Sequence, residues 1–579
     1  MSEPSSAASA RIDDIDPPWP ARPAIMAGVC ALAGVIFYNL VERDNAEALA
    51  AFVAVATIAF ALTAEQRRLH WAVLFALAWG GIIALIVENN RGYSVNGSPF
   101  EWPFWSGLLA VAVAAPLFQG WRDEAASARD WRLTRLSYAR LHLHGWTDAV
   151  IGAAAGAFVG IAFALAFLIA GLFDLIGIRA IGELLREGWF AWGLAGAAFG
   201  GAVGLLRERD RLVGNLQRLV TVVLAVLAPV LAVALALFLV SLVGTGFQQL
   251  WTSGFSTAGL MLGASAFAVL LANAVIGNGA EDRAANRLLR WAAPVLAAIV
   301  LPLAAIAFYA MLMRIGQYGW TPERLWGMVA VVIALAYGAA GLWAVVTGRA
   351  NFDDVLRPLQ QKLAIGLMVL ATFLALPIMD FGAISTRDQL ARLNSGAVKP
   401  EKFDWAAMAF DFGPEGREAL GRLAKSAKTD VADAAKVALA SEDRWALAYD
   451  SERGPQPLRP VEKNVRLTPG DAPLTPEIYE KLKDNGLCRR STCIVRRQGD
   501  DWLAIVGRFR DDSAIELQWL QYDATSKRWE NRYQPPVVAR DAAKMGQVEL
   551  DKATVTTREV VLEQLLVDGE PVGDPYVRR

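Results

Sequence analysis

The sequence predicts a polytopic α-helical membrane protein with a C-terminal soluble α+β domain that contains an antiparallel meander. Of its 579 residues, 55% are hydrophobic and only 20% are charged, which is less charge than soluble proteins usually carry. The apolar stretches fall within 24–381, whereas 382–579 has the composition of a soluble domain. We therefore expect a polar, proline-rich tail (1–23), a transmembrane helical domain (24–381) and an α+β domain (382–579).

Apolar stretches long enough to cross a bilayer predict the membrane helices, because a hydrocarbon core about 30 Å thick needs roughly 20 helical residues. The second stretch is the shortest, and a tilted or interfacial helix remains an alternative there. The N-terminal tail lacks a basic signal-peptide region and a cleavage site, so we expect the first span to be retained. We count about eleven spans: 24–40, 47–63, 70–87, 102–120, 149–173, 190–206, 219–243, 258–277, 291–313, 325–347 and 363–381.

The distribution of basic residues predicts the orientation of these spans, since cytoplasmic loops are enriched in lysine and arginine. The loops after spans four, six, eight and ten carry three to five basic residues each, and the loops on the opposite face carry at most two. This alternation predicts a cytoplasmic N-terminus and an extracytoplasmic, periplasmic C-terminal domain. The net charge of −1 gives no reason to expect a nucleic-acid partner.

Two of the three cysteines, Cys488 and Cys493, lie in the stretch NGLCRRSTCIVRRQGDDW (485–502) of the predicted outer domain. Disulfides persist in oxidising compartments, so we expect a local disulfide, with two unpaired thiols as the alternative. Zinc takes about four ligands, and the outer domain contains no histidine. We therefore expect no metal and no cofactor there. Cys30, in the first span, is interpreted as a small packing residue.

Small residues at four-residue spacing in two spans predict close helix packing. The simplest interpretation is that spans five and six pack tightly against each other, with a lipid or substrate groove and a dimer interface as alternatives. The oligomeric state is left open. The residues are Gly152, Gly156 and Gly160 in span five and Gly196, Gly200 and Gly204 in span six.

Charged residues within spans often mark an ion or proton path, but the span centres here contain almost none. Three acidic residues lie at span ends on the predicted outer face, near two arginines. We expect either one polar site there or ordinary boundary residues. The candidates are Glu88, Arg91, Asp174, Arg179 and Asp380.

The basic and aromatic segment 121–146 is predicted to lie along the inner membrane surface against anionic headgroups. It contains His142 and His144. An ordinary role at the membrane interface is the simpler interpretation of these two histidines, and a metal site is the alternative.

The composition of the C-terminal region predicts both helices and strands. Residues 382–400 resemble a stalk, and helices are expected within 414–441 and 475–486. Short strand candidates separated by turn residues then predict an antiparallel meander. Its strands are expected at 493–497, 501–509, 514–523 and 527–533, with further strands within 547–567.

Recognisable catalytic signatures are missing from the sequence: it has no phosphate-binding loop, no HExxH and no dinucleotide fingerprint. A histidine-based triad within the outer domain is excluded because that domain has no histidine. We leave the enzyme question open and favour a non-enzymatic role, in which the outer domain senses or scaffolds a component of the envelope. The alternative is a transporter or lipid-handling protein.

A second alternative is a carboxylate-dependent transferase that acts on a lipid-linked substrate. Glu42 and Asp44 in the first outer loop resemble the acidic loop of lipid-linked-sugar glycosyltransferases, although the loop here is shorter. Their simpler interpretation is that they cap and solvate helix ends.

Three stretches resemble a family of bacterial multi-pass membrane proteins known as domain of unknown function 4153. They are GGIIALIVENNRGYSVNGSPFEWPFWSGLL (80–109), NFDDVLRPLQQKLAIGLMVLATFLALPIMDFGAISTRDQL (351–390) and FDWAAMAFDFGPEGREAL (403–420). The resemblance implies a location in the bacterial cytoplasmic (inner) membrane, and it implies no activity and no site residues. Expected partners are membrane lipids and, at the outer domain, an envelope protein or a small ligand.

Overall fold

The chain forms two compact units in a computed structural model, Met1–Glu452 and Arg453–Arg579. The residues that the structure describes are 18–90, 98–128, 136–252, 256–279, 283–284, 286–441, 443–445, 447, 461–468, 473–484, 488, 492–498, 501–507, 516–523, 528–532, 563–567 and 570–576.

The first unit is helical. Short 3₁₀ turns lie at Arg349–Asn351 and Pro400–Lys402, and a π-helical turn at Ala407–Asp411. The α-helices are α1 Arg22–Val41, α2 Glu47–Thr63, α3 Leu69–Asn89, α4 Ser98–Ala128, α5 Tyr138–Asp174, α6 Ala180–Arg186, α7 Gly188–Arg207, α8 Asp210–Thr245, α9 Gln248–Thr252, α10 Thr257–Ile276, α11 Arg287–Tyr318, α12 Pro322–Gly348, α13 Phe352–Ala375, α14 Phe381–Asn394, α15 Gly413–Leu423 and α16 Thr429–Ala440.

Length and composition identify nine candidate membrane spans among the described residues. The last of them, Pro322–Ala375, contains both α12 and α13, and α2 is a shorter apolar helix of 17 residues. Each of the eleven predicted stretches overlaps one of these helices. The protein is thus a helical membrane protein, while the number of crossings and their direction stay predictions.

The helices bury small residues between them and turn large apolar residues outward. One core lies among α8, α10, α11 and α12 and includes the fully buried Leu271, Leu296 and Leu303. Large side chains such as Phe167 and Val243 are exposed on the helix surfaces, the latter by 85%. Helices that are hydrophobic all round are typical of membrane spans.

The glycines of α7 pack against α1. A Cβ atom built on Gly196 would collide with the carbonyl of Cys30, and one on Gly200 with the carbonyl of Met26. A Cβ on Gly204 would lie 2.7 Å from the Cα of Pro23. The backbones of α1 and α7 therefore approach closely along this face, as small residues permit.

The two glycine runs do not face each other in the predicted pairing of spans five and six. A Cβ atom at Gly152, Gly156 or Gly160 of α5 would meet nothing within 4 Å. Helix α5 does contact α7, but at other residues: Ile151 and Val203 share one buried cluster. The glycine spacing identifies a face suited to close packing, and α1 takes that face on α7.

Residues after the last predicted span form further helices of the first unit. Helices α15 and α16 confirm the prediction for 414–441, and they share a core with Trp405, Met408 and Phe412. The expected stalk at 382–400 is not an isolated segment, since most of it forms α14. There Asp388 accepts a hydrogen bond from the Trp320 backbone N–H at 2.8 Å.

The described residues of the second unit form two short helices and two sheets. The helices are α17 Val461–Asn464 and α18 Pro476–Asp484, the latter as predicted. The strands are β1 Val465–Leu467, β2 Cys493–Gln498, β3 Trp502–Gly507, β4 Glu516–Asp523, β5 Arg528–Arg532, β6 Glu563–Val567 and β7 Glu570–Tyr576.

The five-stranded sheet has the order β1-β2-β3-β4-β5. Strands β2 to β5 pair antiparallel, which confirms the predicted meander. Strand β1 pairs parallel with β2, and the sequence analysis did not predict it. Strands β6 and β7 form a separate antiparallel pair. Strand β6 lies within the predicted region 547–567, of which 547–562 falls outside the described residues.

One face of this sheet is buried against α18. Ile478 and Leu482 of the helix share a core with Leu503, Ile505 and Leu520 of the strands. The Cys488–Cys493 disulfide belongs to the same core and joins the start of β2 to the preceding turn, with its Cα atoms 5.3 Å apart. The predicted disulfide is thus present.

Candidate functional site

The structure locates four of the five predicted outer polar residues. Asp174 and Arg179 form an ion pair at 3.2 Å, but both side chains are more than half exposed, and such surface pairs contribute little stability. Asp380 accepts a hydrogen bond from the Ala383 N–H at 2.9 Å and so caps α14. Glu88 lies near the end of α3, and Arg91 lies outside the described residues. That all five form one site stays a prediction.

A different group of charged residues is buried at the helix ends that carry Arg22, Arg122 and Arg207. We call these ends the arginine-rich end. Its centre, here termed the buried ionic cluster, consists of residues that come from the α2–α3 loop, α4 and α5. Its members are Glu65, Arg68, Arg122, Asp123 and His144.

Arg122 is the centre of the cluster and is fully buried. Its guanidinium pairs with the Glu65 carboxylate and donates to the carbonyl oxygen of Thr63 at 2.6 Å. Its Nε lies 3.3 Å from Asp123 Oδ1. A single side chain of α4 thus satisfies acceptors from both the end of α2 and its own helix.

Asp123 extends the cluster to α5. Its Oδ2 lies 2.9 Å from His144 Nε2, and both side chains are buried. Arg68 lies 2.7 Å from Glu65 and 3.8 Å from Asp123. The sequence predicts that the segment 121–146 lies along the membrane surface, whereas Arg122, Asp123 and His144 are buried inside the protein. The reason is that each of them has an oppositely charged or hydrogen-bonding neighbour there.

Two further groups connect the cluster to the remaining helices of this end. Arg207 donates to Asp148 at 2.8 Å, which joins α7 to α5. Arg22 lies 3.1 Å from Glu208 and donates to the Ala64 carbonyl at 3.2 Å. These contacts join α1, the end of α2, α5 and α7 through buried or nearly buried polar groups.

The other half of the arginine-rich end is built around Asp353, which is fully buried. It pairs with Arg283 and, at 2.6 Å, with Arg357. The first turns of α5 reach this half as well: the Tyr138 hydroxyl lies 3.1 Å from Gln360 Oε1, and His142 Nδ1 lies 2.6 Å from Asn278 Oδ1. Helix α5 therefore reaches both halves of the arginine-rich end.

The charged side chains at the arginine-rich end are arranged in ion pairs of arginine with aspartate or glutamate. Buried ion pairs add little net stability compared with apolar packing, but removal of one partner is costly. Such pairs specify which helix ends meet. His142 and His144 bind different neighbours, and no group of three or more histidine, cysteine, aspartate or glutamate residues suited to a metal is found in the described part of the chain.

The second unit presents a different kind of surface. Side chains alternate between the faces of a strand, so the face of the sheet away from α18 carries Arg496, Trp502 and Trp519. The two tryptophan rings lie 5.8 Å apart in a T-shaped arrangement, and both are partly exposed. Tryptophan and arginine are the residue types that carry much of the energy in protein interfaces.

The apolar helices and the polar groups confined to their ends define a multi-pass helical membrane protein. Comparison with family models identifies the family of the protein. The chain belongs to the family described as Domain of unknown function (DUF4153), whose model matches residues 23–423. This confirms the resemblance seen in the sequence. Comparisons with curated proteins and with solved structures give no match.

Proposed function

We propose that the protein is a membrane-anchored sensing or scaffolding component of the bacterial cell envelope, with its N-terminus in the cytoplasm and its C-terminal unit outside. The observation that carries this proposal is the Cys488–Cys493 disulfide in the core of the sheet. Structural disulfides persist in the periplasm and are rare in the cytosol. The excess of arginine in alternate loops supports the same orientation.

The anchor in this proposal is the first unit. Its buried ionic cluster and the close contact of α1 with α7 hold many helices in one arrangement. The recognition surface is the sheet face that carries Arg496, Trp502 and Trp519. Aromatic rings next to a cationic side chain suit an envelope protein or a small ligand with an anionic group.

Thiol labelling tests the location. In a Cys30→Ser variant, Cys488 and Cys493 are the only cysteines. A bulky, membrane-impermeant thiol reagent should label this variant in intact cells only after a mild reductant. The matched control replaces all three cysteines by serine and adds Arg211→Cys, at an exposed position of the arginine-rich end. This cysteine should be labelled only after lysis. Labelling of Cys488 and Cys493 only after lysis and without reductant would refute the proposal.

Site-specific crosslinking tests the recognition surface. A photo-reactive amino acid in place of Trp519 should give a discrete crosslinked product in living cells, and Trp502→Ala should weaken it. The matched control has the same amino acid in place of Lys463, an exposed residue of α17 in the same unit. Identical products from both positions, or an unchanged product in Trp502→Ala, would contradict recognition through this face.

A further inference from the structure

A cavity of about 480 Å³ opens in the first unit between the start of α10, the end of α11 and the start of α12. Pockets that bind small ligands commonly measure about 300–1,000 Å³. Helix α10 starts at this cavity with Thr257 and ends 19 residues later at Ile276. The Ile276 carbonyl accepts a hydrogen bond from Arg357 at 2.9 Å. At 1.5 Å per residue, the cavity is therefore about 30 Å from the arginine-rich end.

One side of the cavity is cationic. Among the described residues, Arg314 and Arg324 line it together with one acidic residue, Glu323. The first residues of α10, Thr257 and Ala258, line it as well. The N–H groups in the first turn of a helix lack acceptors within the helix and carry partial positive charge. Two guanidinium groups and a helix N-terminus thus converge on one space.

Arg324 is held in place for binding an anion. Its Nη1 donates to the carbonyl oxygens of Gly319 at 2.7 Å and Tyr318 at 3.3 Å. The guanidinium also lies 5.4 Å from the centre of the Tyr318 ring. A guanidinium group has five donors, and these bonds use Nη1 alone. Among the described residues, Nη2 and Nε have no hydrogen-bond acceptor, so both groups can donate to a ligand in the cavity.

The other side of the cavity is apolar and lies next to the lipid-facing surface. Leu250, Trp251 and Met311 line it. The Trp251 ring lies 5.5 Å from the ring of Tyr309, and Tyr309 is 55% exposed on the apolar surface of α11. Tryptophan and tyrosine are enriched where a membrane protein crosses the headgroup layer. A ligand here would meet cations on one side and hydrocarbon on the other.

We propose that this cavity binds the phosphate group of an anionic phospholipid, with the acyl chains against Trp251 and Met311. A phosphodiester matches the planar guanidinium of Arg324 and the second cation of Arg314. Helix N-termini bind the same group. A single glutamate against two arginines leaves the lining with net positive charge, which favours an anionic headgroup over a zwitterionic one. This binding role is separate from the proposed role of the C-terminal unit.

The test measures thermal stabilisation of the full-length protein, purified in detergent, by short-chain phosphatidylglycerol. Phosphatidylcholine and inorganic phosphate are tested in parallel. Binding of phosphatidylglycerol is expected to be concentration-dependent and stronger than that of either comparison compound. Arg314→Gln is expected to weaken it roughly tenfold or more, because a hydrogen bond to a charged group contributes more than about 1.4 kcal/mol.

Two variants separate a charge effect from misfolding. Glu323→Gln removes the opposing charge and is expected to tighten phosphatidylglycerol binding. Arg186→Gln is the matched control: Arg186 is exposed at the end of α6, outside the cavity, and its loss should leave binding unchanged. Equal binding by Arg314→Gln and Arg186→Gln would overturn the proposal. Equal stabilisation by phosphatidylcholine would overturn the charge argument, and equal stabilisation by inorganic phosphate would overturn the assignment to a lipid.

Discussion

Replacement of Arg122 by methionine tests whether the buried ionic cluster holds the helix ends together. The substitution keeps much of the side-chain volume but removes the guanidinium that binds Glu65, Asp123 and the Thr63 carbonyl. Removal of one partner from a buried ion pair costs about 3–5 kcal/mol. Arg68 stays 2.7 Å from Glu65, and His144 stays 2.9 Å from Asp123. We therefore expect a loss near the lower limit, about 3 kcal/mol.

The assay is thermal unfolding of the detergent-solubilised full chain, followed by the fraction that stays monodisperse after heating. A loss of about 3 kcal/mol should lower the midpoint by on the order of 5 °C in a unit of this size. The matched control is Arg140→Met. Arg140 pairs with Glu124 at 2.8 Å, but this pair is partly exposed, so its removal should cost at most about 1 kcal/mol.

A double variant completes the experiment. Addition of Glu65→Gln to Arg122→Met removes the carboxylate that the first change leaves without its main partner, and should recover part of the lost stability. The reasoning would be refuted if Arg122→Met unfolded at the wild-type temperature. It would also fail if the double variant were less stable than the sum of the two single changes predicts.

Three further predictions concern other contacts. Gly200→Ala should destabilise the first unit by about 1–3 kcal/mol, because the added methyl group meets the Met26 carbonyl. Gly152→Ala is the control and should be neutral. Equal unfolding midpoints of the two variants in the thermal assay would contradict this prediction. Cys488→Ser should destabilise the C-terminal unit by about 2 kcal/mol, as expected for a short disulfide loop, and should speed its proteolysis relative to Cys30→Ser. Asp353→Asn leaves Arg283 and Arg357 without the carboxylate that both pair with. It should lower the free energy of unfolding by about 3–5 kcal/mol. An unchanged melting midpoint would show that these ion pairs do not stabilise the first unit.

The apolar helices and the meander could be predicted because their signals are local. A run of about 20 apolar residues has few alternatives to a membrane helix. The short apolar segments DWLAIVGRF and AIELQWLQYD, with turn residues between them, likewise predict neighbouring antiparallel strands. Strand β1 was missed because it has only three residues and its partner β2 follows a helix.

The candidate site depends on long-range contacts, and for this reason it could not be predicted from the sequence. Glu65 and Arg122 are 57 residues apart, and each alone is typical of the boundary of a span. Arginines near span ends, such as Arg122 and Arg207, predict the orientation of the spans. That pattern does not indicate that these arginines are buried partners of carboxylates. The sequence contains one pattern that indicates this cluster: Glu65 and Arg68 are three residues apart, and an arginine–aspartate pair lies at 122–123. The contact of the α7 glycines with α1 could not be predicted for the same reason. Their spacing indicates close packing but does not identify the helix that they contact.

The pairing of α1 with α7 sets an order of events during synthesis of the protein. Arg22 and Arg207, which meet at the ends of this pair, are 185 residues apart. At roughly 5–20 residues per second, the first helix waits in the bilayer for on the order of 10–40 s before its partner emerges from the ribosome. During that interval lipid or an insertion chaperone must cover the face that later meets Gly196 and Gly200. Biogenesis of this protein is therefore expected to be sensitive to the pace of translation between the first and seventh helices.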